Sequence, residues 1–192
     1  MEASAPVQAG RSRRILSPYA VLAALSLVAS LTLSWLFNVL LLQNVRDVSP
    51  VFGFVLSIGY SGSGLFALTS MVTLVLKAAG TDVRWMQVVI LYMVANLAHL
   101  ISGVYALCVL WYQGVPSSGQ PLYVSLNVFG WEGGIGRFLN RNSIDEVLHY
   151  ALFGALLAAT TRPRRPWWQY GLVLFPFFVG VLVMNAALSR VG

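Results

Sequence analysis

Long apolar runs interrupted by short polar stretches set the pattern of this chain. The first run covers 15–42, and others follow at 52–76, 85–112, 143–160 and 167–188. Crossing a ~30 Å hydrocarbon layer as a helix takes about 20 apolar residues, so each run of that order reads as a transmembrane helix. The pattern predicts an all-α polytopic membrane bundle of about five spans. Before it lies a small, polar segment, 1–14, expected to be a disordered cytoplasmic tail, and residues 15–192 then form a single transmembrane domain. The first run is too long for the apolar core of a cleaved signal peptide and is expected to stay.

Small and polar residues recur every fourth position inside the runs. Ser26, Ser30, Ser34 and Asn38 form one stripe, and Gly59, Ser63 and Ala67 another. In the fourth run, Gly154 with Ala158 and Ala151 with Ala155 and Ala159 do the same. Such stripes let helix backbones approach closely in lipid, where packing and hydrogen bonds drive association. Within the third run Asn96, His99 and Ser102 are spaced by three and share a helix face, which makes them the polar intramembrane candidates. The region 113–142 contains PLYVSLNVFGW, too short and too broken by glycine to cross, and is expected to lie along the interface or dip back into the bundle.

Composition sharpens this picture. Hydrophobic residues make up 58% of the 192 residues and charged ones 9%, against about a quarter charged in soluble domains, so a water-soluble fold is excluded. The net charge of +6 does not point to nucleic acid, because the basic residues sit in short clusters beside apolar runs. Arg11, Arg13 and Arg14 precede the first span, and Arg162, Arg164 and Arg165 separate the fourth and fifth. Lipid headgroups are the partners these clusters fit. With an inside N-terminus, these six and Lys77 and Arg84 face inward, while Arg46, Arg137, Arg141 and Arg190 face outward. That excess favours the N-in, C-out orientation. The lone cysteine, Cys108, lies in an apolar run and reads as a small core side chain.

Little catalytic chemistry is legible. IGYSGSG in the second run lacks the Lys-Ser/Thr that must follow a phosphate-binding loop. Asp145, Glu146 and His149 form a cluster at the start of the fourth run, and Glu-x-x-His is a spacing used in di-iron bundles. Those sites need a second such motif, which the chain lacks. Ser143 with Glu146 reads instead as a capping box, with acidic side chains favoured at the positive end of a helix. No nucleophile elbow accompanies either histidine. The residues therefore imply no metal, no cofactor and no catalytic residue.

From about Pro50 to Ala187 the order of elements resembles the membrane domain of the Yip family, the five-span proteins named for interacting with Ypt/Rab GTPases. The residues that carry the likeness are LVLKAAGTDVRWMQVVILYMVANLAHLI, running from the second span through a glycine turn into the third, then FLNRNSIDEVLHYALFGALLA and TRPRRPWW. The resemblance implies a non-enzymatic five-span protein acting as a scaffold, assembly factor or accessory subunit, through contacts with lipids and other membrane proteins or by self-association. Arg- and Trp-rich usage with a single lysine, Lys77, points to a bacterial cytoplasmic membrane. Two other readings stay open: a small transporter or channel component with a polar path at Asn96 and His99, and a membrane enzyme or cofactor-binding subunit using His99 or His149.

Overall fold

The computed structural model describes residues 5–42, 49–78, 80–114, 122–127, 129–140 and 142–161, with the side chains of α1 described from Pro18 to Leu41. The side chains of Arg11, Arg13 and Arg14, the Arg162, Arg164 and Arg165 turn, and the expected span 167–188 lie outside the described residues. The described chain is helical: α1 (Ala5–Leu42), α2 (Pro50–Ala78), α3 (Trp85–Ala95), a single 3-10 turn (Asn96–Ala98), α4 (His99–Gln113), α5 (Gly133–Asn140) and α6 (Ile144–Thr161). Three stretches are long and apolar enough to cross a membrane: Pro18–Leu41, Pro50–Ala78 and Trp85–Gln113, the last being α3 and α4 together.

The helix of the first span begins at Ala5, so the segment read as a disordered tail is helical from that point. Nucleation is the costly step in helix formation. Once the apolar run has formed its turns, Ala, Gln and Arg residues before it extend them cheaply.

A tight turn joins α2 to α3. The Gly80 amide donates to the Lys77 carbonyl and the Thr81 amide to that of Leu76, both at 2.9 Å. Gly80 has φ of +79°, the left-handed conformation that this helix-ending motif requires and that a side chain disfavours. The Gln87 side chain then accepts from the Arg84 amide at 2.9 Å, satisfying one of the orphan donors at the start of α3. Trp85 packs edge-on against Phe66 and donates to the Thr69 hydroxyl at 3.1 Å, which locks the two helices at this end.

The apolar core lies at the same end. Val72 and Leu76 of α2, Val83 of the turn, Val88, Leu91 and Ala95 of α3, and Phe153 and Leu157 of α6 form one buried cluster. Tyr19 of α1 and Ala158 of α6 pack against it. Helix α6 therefore runs back along α3 toward Trp85. Of the two small-residue pairs expected on α6, the Gly154–Ala158 face turns inward, while Ala151, Ala155 and Ala159 are exposed.

Two other expectations are corrected. Among the described residues no backbone packs closely on the small stripe of α2, since a Cβ built on Gly59 would meet nothing within 4 Å. Cys108 is exposed rather than in the core. Neither is covered by a described helix, and periodicity alone cannot tell an outer face of a helix from an inner one.

Candidate functional site

The polar residues of the spans come together in two layers. Near one end of α1, Asn38 donates to the Ser34 carbonyl at 2.8 Å and to the Ser57 hydroxyl of α2 at 3.4 Å. Deeper in the bundle, Asn96 donates to the Ser30 hydroxyl of α1 at 2.9 Å. Half of the α1 stripe thus serves as hydrogen-bonding glue between helices, as its spacing implied. Ser26, one turn before Ser30, is fully buried, and its hydroxyl has no hydrogen-bond partner among the described residues.

The second layer holds the site. His99 opens α4, Ser102 lies one turn further on, and Asp145 is in the first turn of α6. The His99 Nδ1–H donates to Asp145 Oδ2 at 2.6 Å, and the Ser102 hydroxyl donates to Oδ1 of the same carboxylate. Both carboxylate oxygens are engaged by α4, so Asp145 ties the start of α6 to that helix. Its side chain is 5% exposed, whereas that of His99 is 34% exposed. Position in the first turn also favours the negative charge, because the unpaired amides there make the helix end positive.

His149 lies one turn beyond Asp145 on α6 and is completely buried. Its ring stacks on that of His99 with centroids 4.7 Å apart, and Tyr92 of α3 meets it edge-on at 4.5 Å. The ring makes a hydrogen bond of loose geometry with the Ala95 backbone of α3, and neither ring nitrogen has another hydrogen-bond partner among the described residues. His99 is held by its Nδ1 alone, which leaves Nε2 without a partner among the described residues.

This geometry differs from a hydrolytic triad. There the serine bonds to the far nitrogen of the imidazole so that its proton can be removed. Here Ser102 and His99 both donate to the carboxylate and do not touch each other in that sense. Among the described residues no group of three His, Cys, Asp or Glu is placed to hold a metal ion.

The sequence placed Asn96, His99 and Ser102 in one group and Asp145, Glu146 and His149 in another, the latter at the membrane interface. The fold joins His99 and Ser102 to Asp145 and His149 and sends Asn96 to α1. A signal for this was present but unread. A carboxylate in an apolar helix needs donors for both oxygens, and His99 with Ser102, spaced by three in the neighbouring span, is the only His-and-hydroxyl pair of that spacing inside an apolar run. No protein-family model, no characterised protein and no solved structure matches the chain, so the likeness to the Yip family rests on the quoted residues alone.

Proposed function

We propose that this chain is a non-enzymatic, Yip-like integral membrane protein of five spans, N-in and C-out. On this reading it serves as a scaffold, assembly factor or accessory subunit in a bacterial cytoplasmic membrane, with headgroups held by its arginine clusters. The observation that supports it is the use made of the polar side chains in the third span. Asn96, His99 and Ser102 each donate to a neighbouring helix, which is how polar residues fix helix packing in lipid. A transport path would need such groups to be available to a solute.

Two experiments test this. For the function, His99→Gln keeps a donor and should preserve the size of the complex seen in mild detergent, while His99→Leu removes it and should cost about 1 kcal/mol, somewhat above the ~0.6 average for bonds in lipid because the acceptor is a carboxylate. Assembly should track stability in both. A His99→Gln protein that folds and assembles normally, yet reproduces the phenotype of deleting the gene, would count against the packing role. For the topology, a cysteine at Ser12 should be protected from an impermeant thiol reagent in intact cells and one at Ser118 should react. Equal reaction at both would refute the N-in arrangement.

The transporter or channel reading keeps one observation in its favour, the open edge of His99, a third of whose side chain is exposed.

A further inference from the structure

Two independent positions mark the middle of the bundle. Ser30 lies midway along the 24-residue apolar run Pro18–Leu41, and His99 midway along the 29-residue run Trp85–Gln113. The Asn96–Ser30 bond sets these midpoints side by side. At ~1.5 Å per residue, that level is about 20 Å from either end of the second run. Asp145, held to His99 at 2.6 Å, fixes the first turn of α6 at the same level. Helix α6 therefore begins halfway along the spanning helices and runs back beside α3, with Tyr92 edge-on to both His149 and Phe153.

The chain leaves α4 at Gly114, at the far end of that run. It has to return by about 20 Å before α6 can start. On arrival its backbone is not helical. Residues 124–126 lie antiparallel to 142–144, with the Leu126 amide donating to the Asn142 carbonyl and the Ile144 amide to that of Val124, both at 2.9 Å. In hydrocarbon, irregular backbone is tolerated only where it is packed in protein or lines water, because its remaining polar groups would otherwise have no partner.

We infer that the segment containing residues 122–127 and 142–143 re-enters the membrane from the Gly114 side and borders a water-filled inlet that ends at His99, beside Ser102 and Asp145. The observation that points to water rather than a dry loop is His99. A third of its side chain stays exposed at this level and its Nε2 has no partner among the described residues, whereas a ring nitrogen facing hydrocarbon would go unsatisfied. The 3-10 turn Asn96–Ala98 interrupts the spanning helix at this same level, and broken helices at mid-membrane depth are found where they border a cavity. The inference rests on α1 and α3–α4 being membrane spans.

The test uses the full chain in lipid vesicles, in a Cys108→Ser background, with single cysteines introduced as Ser125→Cys and Val124→Cys. Val104 on the exposed side of α4 serves as the lipid-facing reference and Gln113 as the aqueous one. Each thiol is read by its rate with a charged methanethiosulfonate applied to both faces. Each is also read by the depth of an attached fluorophore, from its quenching by nitroxides fixed at known depths on the lipid acyl chains. The thiols at 124 and 125 should react at least about tenfold faster than the one at 104, while their fluorophores read as deep as that at 104, since only water within the membrane gives both results together. Fast reaction at headgroup depth would overturn the inference by placing the segment outside the membrane. Slow reaction at mid-depth would overturn it by showing a dry loop. A shallow, water-accessible reading at 104 would instead remove the spanning assignment of α3–α4, and the inlet with it. Val124 stands apart from the Ser125 side-chain bonds to Leu139 and Asn140, so the two substitutions perturb the segment differently.

Discussion

Asp145→Ala is expected to lower stability by about 3 kcal/mol, more than any other polar substitution in the described helices. The loss has two parts. Hydrogen bonds to a charged group contribute about 1.5 to 3 kcal/mol, and removal of the shared acceptor strands both His99 and Ser102. A further 0.3 to 1 kcal/mol or so goes with the charge at the start of α6. The partial exposure of His99 holds the total at the low end of the 3 to 5 kcal/mol or so of a fully buried pair. Asp145→Asn keeps one carbonyl oxygen as an acceptor and should recover roughly half of the loss. Reversible unfolding in lipid or mild detergent measures both, and an Asp145→Ala protein as stable as the parent would show that this pair does not hold α6 to α4.

The second large effect is expected in the apolar core. Phe153 is fully buried and meets Tyr92 edge-on at a centroid distance of 5.4 Å, in a cluster shared by α2, α3 and α6. Phe153→Ala should cost about 3 kcal/mol, the lower end for such a truncation, because the lost ring leaves a cavity that rigid neighbours fill only in part. Leu152→Ala, on the exposed side of the same helix, removes contacts that lipid replaces and should cost less than about 0.5 kcal/mol. Equal losses at the two positions, measured in the same unfolding experiment, would mean that α6 does not present the face assigned to it.

Helix positions were legible because lipid-crossing runs are long and nearly free of charge. Residues 52–76 read as the second span fall inside Pro50–Ala78, and the third agrees within a residue at each end. Contacts between helices were not legible. His99 and Asp145 are 46 residues apart, and no periodicity links one helix to a particular neighbour. Asp145 alone satisfied a local explanation, an acid at a helix start, so nothing in its own segment required a distant donor. The α2 stripe failed for the opposite reason. Its spacing of four is right for close packing, but spacing cannot show whether a partner is present, and the described fold places none there.

The three residues Asn96–Ala98 have a consequence for azimuth. A 3-10 turn advances about 120° per residue where an α-helix advances about 100°, so everything beyond Ala98 is rotated by about 60° from the setting of an unbroken helix. Through this offset α3 can aim Val88, Leu91 and Ala95 at the core while α4 aims His99 and Ser102 at Asp145. A ligand or substitution that let the α-helix run straight through would swing both donors off the carboxylate by a sixth of a turn, together and without touching either side chain. The torsion of three residues would then decide whether α6 stays latched.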